Sequence, residues 1–196
     1  MRRIAKFEKI SMKQWKTDSY DEGMAEAYDN IQLPVRKTYG SAGYDFLAPI
    51  TFKIDSGQSM VIPTGIRCQM DSDYVLCIFP RSGLGFEYGV HLSNTVGIID
   101  CDYYFAENEG HIMIKLVNPS YKPLKVQVGQ GFAQGIFLPF GVTYDDNAQG
   151  QRRGGFGSTD NVGKKTNGKS SKVLNFEMRI IEPPAEKIPN EIGREK

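Results

Sequence analysis

The stretch "ITFKIDSGQSMVIPTGIRCQMDSDYVLCIFP", residues 50–80, is built from short apolar runs broken by turn residues. "ITFKI" (50–54), "SMVIP" (59–63), "IRCQM" (66–70) and "YVLCIFP" (74–80) are rich in β-branched and aromatic side chains, which pack well on a pleated surface. "DSGQ" and "DSD" between them supply the Asp, Ser and Gly of tight turns. "HIMIKLV" (111–117) and "LKVQV" (124–128) repeat the pattern. No long segment of 3.6-residue period interrupts this region, so a βαβ arrangement is not expected. Short strands at regular spacing predict an all-β fold, a jelly-roll-like antiparallel barrel or sandwich.

Working outward, "RRIAKFEKISMKQWKTD" reads as a strand followed by a short helix. Ser11 is placed as its N-cap and Gln14 in capping-box position. Residues 18–30 are acidic and read as a surface connection. "GKKTNGKSSK" (163–172) has four lysines, no acid and no apolar side chain, the composition of a solvated linker. "VLNFEMRII" (173–181) regains alternation and predicts one more strand before a loose tail. The expected organisation is an N-terminal extension over 1–30 and a β core over 31–150. A glycine-rich arm over 151–160 and a linker with C-terminal extension over 161–196 complete it.

The chain has 196 residues, 24 basic and 23 acidic, for a net charge of +1. That balance argues against a protein whose partner is nucleic acid or an anionic membrane, so any anion site must be local. Three cysteines (Cys68, Cys77, Cys101) without close pairing and only two histidines (His91, His111) argue against a disulfide framework and a zinc centre. The histidines are read as satisfied structural residues, and the cysteines and Trp15 as packing residues. The first residues hold no apolar stretch of signal-peptide kind, and a reducing cytoplasm is the expected compartment.

Polar constellations interrupt the apolar pattern. "RRGGFGSTD" (152–160) joins forked guanidinium donors, hydroxyls and glycines whose backbone N–H groups can approach phosphate, with one aromatic ring. The same composition also fits a flexible loop near a domain end. "PRSGLGFEYG" (80–89) turns from an apolar strand into Arg, Ser and Gly, either an anion-binding turn or an ordinary one. "GQGFAQG" (129–135) has the wrong glycine spacing for a dinucleotide fingerprint. In "NTVGIIDCDYY" (94–104) an apolar run leads into Asp100. If the segment is extended, Asp100 and Asp102 share one face, with Cys101 and Tyr103 on the other. Desolvation there could tune a general base, although a hairpin with solvated acids fits as well. "SAGYDF" (41–46) places Asp45 in a glycine-bounded turn.

In this order, "AGYDF" (42–46), "PRSGLGFEYG" (80–89), "NTVGIIDCDYY" (94–104), "GQGFAQGIF" (129–137) and "RRGGFGSTD" (152–160) resemble the five motifs of the trimeric dUTPase family. The resemblance spans roughly residues 34–160 and is far more specific than any one motif. It implies hydrolysis of dUTP to dUMP and pyrophosphate by a homotrimer with shared sites. The first, second and fourth motifs would come from one chain, the third from a neighbour and the fifth from another chain's arm. Mg²⁺ would ride on the triphosphate, with Asp45 touching it through water.

The resemblance also assigns roles. Asp100 would activate the attacking water. Asn94 would pair with uracil, with Gly97 and Ile99 adding backbone from the same hairpin. Tyr103 would pack under the deoxyribose and exclude a 2′-hydroxyl. Arg81, Ser82, Gly83 and Gln134 would hold phosphate. Phe156 would stack on uracil, and Arg152 or Arg153, Gly157, Ser158 and Thr159 would hold the outer phosphates.

The chain departs from the common pattern in three places. Gly110 comes seven residues after Tyr103, an apparent insertion that could meet a regulatory protein partner through 104–110, as could the C-terminal tail. Gln151 stands at the usual arginine position of the fifth motif. That motif ends Thr159–Asp160 rather than Thr–Gly. The competing readings are a dCTP deaminase, with or without dUTPase activity, a dUTP-gated regulatory binding protein, and a β-sandwich binding module.

Overall fold

The computed structural model describes residues 1–150 together with Arg152 and Gly154. The expectations for Arg153, for Phe156 to Thr159 and for a strand over 173–181 lie outside the described residues. The chain opens with strand β1 (Ala5–Lys9), helices α1 (Met12–Asp18) and α2 (Glu22–Glu26), and a 3-10 turn over Ala27–Asn30. Then come β2 (Tyr44–Leu47), β3 (Phe52–Ile54), β4 (Ser59–Pro63), β5 (Ile66–Met70), β6 (Tyr74–Pro80) and α3 (Ser82–Tyr88). They are followed by β7 (His91–Leu92), β8 (Gly97–Ile99), a second 3-10 turn (Cys101–Phe105), β9 (Met113–Val117), β10 (Leu124–Val126) and β11 (Gly131–Pro139).

All strand pairings are antiparallel, in the sheets β1-β5, β10-β3, β2-β11-β6-β8 and β4-β9-β7. The all-β expectation holds. No sheet closes on itself among the described residues, so the barrel form of that expectation is not realised.

β4, β5 and β6 coincide with the apolar runs that predict them. Alternation decides which side faces inward: in β3 and β10 the outer residues are buried and the middle lysine is exposed. Between β3 and β4 the Gln58 N–H donates to the Asp55 carbonyl at 3.1 Å, and Gly57 takes φ +71°. One core collects Trp15, Phe46, Ile62, Leu76, Ile114 and Phe132, all at most 1% exposed. Phe52 and Phe132 meet edge to face at 5.7 Å. Each such side chain contributes about 1.5–3 kcal/mol on leaving water.

The glycine-rich "GQGFAQGIF" conceals the longest strand. β11 lies between β2 and β6, and a Cβ on Gly135 would stand 2.8 Å from Leu76 Cδ1 and 3.1 Å from Phe46. These glycines make room for large neighbours rather than breaking structure. "SAGYDF" likewise forms a strand, so Asp45 sits on β2 and not in a turn. "RSGLGFEY" is a helix from Ser82, closed by Gly89 at φ +66°.

Residues 18–30 form α2 and a 3-10 turn instead of a plain connection, because Met24 and Ala27 are buried. Asp21 caps α2 by accepting from the Met24 N–H at 2.8 Å. Ser11 does cap α1, accepting from the Gln14 N–H at 3.1 Å. The capping box stays open: the Gln14 amide turns to Asp18 at 2.9 Å, and the Ser11 N–H is taken by Glu109.

Candidate active site

Two groups of motif residues form, at opposite ends of the β2-β11-β6-β8 sheet. The first gathers Asp45 on β2, Gln134 on β11, and Arg81 just past β6. Asp45 and Gln134 are cross-strand partners. The Arg81 Nε lies 3.4 Å from Asp45 Oδ1, and its Nη1 donates to the Gly131 carbonyl at 3.5 Å. Gln134 donates to the Pro80 carbonyl at 3.1 Å, bracing the exit from β6. Asp45 is 6% exposed, and its Oδ2 has no partner. A buried carboxylate oxygen left open costs free energy unless something donates to it. Glycines make the space: a Cβ on Gly131 would fall 2.6 Å from Arg81 Nη1, and one on Gly43 would fall 2.6 Å from Gln134 Oε1. Ser82 and Gly83 are exposed in the first turn of α3, which has no side-chain cap.

The second group stands where β8 ends. Asp100 follows Ile99 directly, and Cys101–Phe105 coil into a 3-10 turn rather than continuing extended. The alternation that would set Asp100 and Asp102 on one strand face therefore does not apply. The two carboxylates still converge, because one guanidinium bridges them: Arg152 Nε donates to Asp102 Oδ1 at 2.8 Å, and its Nη2 pairs with Asp100 Oδ2. Its central carbon lies 5.9 Å from the Tyr103 ring centroid. A guanidinium held by exposed carboxylates contributes little to stability, about 0–1 kcal/mol, and can exchange them for phosphate oxygens.

Tyr103 turns inward and is 6% exposed. Its hydroxyl donates to the His111 carbonyl at 2.8 Å and accepts from Asn108 Nδ2 at 2.8 Å. Burial pushes its phenol above the usual range. Asn94 is exposed in the β7–β8 turn. Gly97 is buried against β6, where a Cβ would stand 3.0 Å from that of Ile78, and Ile99 is half-buried.

The separation of the groups follows from register. Ile99 pairs with Leu76, so Asp100 falls level with Val75, while Arg81 lies about six residues along β6, roughly 20 Å at ~3.3 Å per residue. One chain therefore keeps the two motif groups apart and does not bring Arg81 and Asp100 together.

Sequence reading missed Asp18, Asn108 and Glu109, which with His111 lie beneath the Asp100 loop. Only the position of His111 directly after Gly110 hints at them, and no residue spacing reveals that Asp18 meets a side chain so distant in sequence. His111 is a satisfied packing residue, as read: Asp18 Oδ2 lies 2.6 Å from its Nδ1, and the Gly65 N–H donates to its Nε2 at 2.9 Å. His91 is exposed. Among the described residues no group of His, Cys, Asp or Glu side chains is set to hold a metal directly, and no helix is long and apolar enough to cross a membrane.

The dUTPase family model matches residues 29–160. The deoxyuridine 5'-triphosphate nucleotidohydrolase of Lactococcus lactis is 39% identical over 132 residues, covering 66% of this chain and 88% of that protein. That of Pasteurella multocida is 41% identical over 133 residues, covering 64% and 85%. Among solved structures, the dUTPase of Streptococcus mutans is 36% identical with a TM-score of 0.56, covering 70% of this chain and 97% of that one. The dUTPase of phage phi11 of S. aureus shares the fold at 17% identity and the same TM-score of 0.56, covering 76% and 97%.

Proposed function

The chain belongs to the dUTPase family, and on that premise we propose that it is a dUTP diphosphatase whose Asp100 activates the attacking water. The water, deprotonated by Asp100, attacks the α-phosphorus in line. The bond from that phosphorus to the bridging oxygen breaks, and pyrophosphate departs from dUMP. This removes dUTP from the DNA precursor pool and supplies dUMP for dTMP synthesis.

The observation that carries the reading is the split of the motif residues into two half-sites. Arg81 and Gln134 form an anion-holding end with phosphate-type donors, with the Asp45 carboxylate beside Arg81. Asp100 and Tyr103 form an end with a carboxylate and a floor for the sugar. Standing roughly 20 Å apart in one chain, they can serve one nucleotide only if a neighbouring chain supplies the complementary half, which supports an assembly with shared sites, a homotrimer on the family resemblance. Arg152 lies on its own chain's Asp100. On this reading it leaves those carboxylates when dUTP binds and holds the outer phosphates of a site on a neighbouring chain, freeing Asp100 to take a proton from water. Arg153, Phe156, Gly157, Ser158 and Thr159 complete the arm over the base and phosphates.

Asn94, with backbone from Gly97 and Ile99, pairs with the uracil edge. A wrong base leaves those polar groups unpaired, which is how such a site discriminates. Tyr103 leaves no room beside C2′ for a hydroxyl. Ser82 and Gly83 add backbone and hydroxyl donors to Arg81.

Mg²⁺ would ride on the triphosphate rather than in a protein cage. The unpartnered, buried Oδ2 of Asp45 fits a water carried by that ion, since it lacks any donor of its own. The ion supplies partial neutralisation of the triphosphate charge.

The test is turnover of dUTP, UTP, dCTP and dTTP with Mg²⁺, in the wild type and in Asp100→Asn. We expect hydrolysis of dUTP alone, reduced about 10²–10⁴-fold by the substitution. Ammonia release from dCTP, or an Asp100→Asn enzyme as fast as the wild type, would sink the assignment.

A further inference from the structure

Residues 1–28 precede the stretch that the family model matches, yet their side chains hold the loop that carries Asp100 and Tyr103. Helix α1 is tied to that loop at both ends. At its start, the Ser11 N–H and hydroxyl both donate to the Glu109 carboxylate, at 2.7 and 2.6 Å. The same hydroxyl oxygen caps the helix. These bonds hold the Glu109 carboxyl below the usual carboxylate range.

At the end of α1, Asp18 Oδ2 stands 2.6 Å from Nδ1 of His111. Because the Gly65 N–H donates to Nε2 at 2.9 Å, that nitrogen is an acceptor and the ring proton sits on Nδ1. Both ring nitrogens of a fully buried imidazole are thereby satisfied. The Trp15 indole lies against the ring with centroids 6.1 Å apart.

The next link leads into the site. The His111 carbonyl accepts the Tyr103 hydroxyl at 2.8 Å, and Asn108 donates to that hydroxyl at 2.8 Å. Alongside, the Tyr104 hydroxyl donates to Glu8 on β1 at 2.6 Å, and the Arg67 guanidinium lies 4.4 Å over the Tyr104 ring. The path from α1 to the sugar-facing phenol is thus Asp18, His111, Tyr103, with each contact in or beside the core.

We propose that Asp18, acting through His111, is a positioning residue for Tyr103, and that α1 makes the N-terminal segment part of the device that excludes a 2′-hydroxyl. The proposal rests on the reading of Tyr103 as the residue under the deoxyribose. Steric exclusion works only if the excluding side chain cannot sink. A phenol bonded to the carbonyl of a free loop could retreat. One bonded to a residue clamped between α1 and the chain at Gly65 cannot, without breaking buried hydrogen bonds.

The experiment compares Asp18→Ala and Asp18→Asn by the ratio of kcat/KM for dUTP to that for UTP, together with amide exchange over residues 101–111. Asp18→Ala leaves the Nδ1 proton without an acceptor. The ratio should fall by about tenfold and the loop amides should exchange faster. In Asp18→Asn the amide oxygen still accepts from His111 and Gln14, so both readouts should return towards wild type. A role confined to stability would lower turnover of both substrates alike and leave the ratio untouched. An unchanged ratio in folded Asp18→Ala, or an asparagine that restores nothing, overturns the proposal. A wild type inactive on dUTP would instead overturn the functional reading, and the clamp would then be decided by amide exchange alone, unchanged protection refuting it. If Asp18→Ala does not fold, Ser11→Ala, exposed at the other end of the helix, is judged by the same measurements.

Discussion

Gly110 closes the loop after Tyr103, and its replacement by alanine gives a measurable quantity. Its φ is +70°, and a Cβ there would stand 2.7 Å from the Tyr103 carbonyl oxygen and 2.8 Å from the Tyr104 Cα. Both are backbone atoms, so the clash cannot be relieved by turning a side chain. Gly57 is the control, with φ +71° and nothing within 4 Å of its Cβ position. Left-handed backbone costs an alanine about 1–2 kcal/mol, offset by roughly 0.4–1 kcal/mol from a stiffer unfolded chain. Gly57→Ala should therefore cost about 0–1.5 kcal/mol. Gly110→Ala adds an overpacking cost of about 1–3 kcal/mol, for a total of roughly 1–4.5 kcal/mol. At ~2–4 °C per kcal/mol for a chain of this size, Tm should drop by roughly 2–18 °C, against roughly 0–6 °C for the control. Scanning calorimetry at one fixed protein concentration measures both. The shift falls on the Tyr103 carbonyl, so Gly110→Ala should also lose turnover while Gly57→Ala keeps it. Equal Tm losses for the two alanines would refute the argument, since both share the same φ and differ only in what the Cβ meets.

Asn118 is fully buried, its amide donating to the Ile54 and Lys122 carbonyls at 2.9 Å each and accepting from the Ser120 hydroxyl at 2.7 Å. Asn118→Ala should lower unfolding stability by about 2–4 kcal/mol in urea titrations, and a loss below about 1 kcal/mol would show that water replaces the amide. Glu8 is held down to about 2, chiefly by its hydrogen bond from Lys6 and then by that from Tyr104. A depressed carboxyl contributes stability above its unfolded value of 4.5, and loses it as pH falls towards 2. The Tm gap between wild type and Glu8→Gln should accordingly be full above about pH 5 and shrink on acidification; a gap constant down to pH 2.5 would contradict it.

Strands made of β-branched and aromatic runs between clear turn residues could be read directly: β4, β5 and β6 match their apolar runs because side-chain type and turn chemistry agree there. β11 could not, because its glycines look like breakers until the large side chains of Leu76, Phe46 and Ile78 are seen pressing on them. The helix over Ser82–Tyr88 was hidden for a related reason, with two glycines inside a seven-residue element that tertiary context stabilises. At the site, motif order named Asp45, Arg81, Asp100 and Gln134. Spacing could not say that Asp100 is followed by a 3-10 turn, nor that Asp100 and Asp102 meet through Arg152 rather than through strand alternation.

The sequence by itself determined the all-β class and which polar side chains interrupt it, because strand pattern and side-chain type are local properties. Only the tertiary structure decided two matters. Strand register sets Arg81 and Asp100 at opposite ends of one sheet, so that a single chain keeps the two motif groups apart. Long-range hydrogen bonds make an N-terminal helix the support of Tyr103. Both depend on pairings between residues far apart in the chain, and no local pattern encodes which distant partner a strand or a buried carboxylate will find.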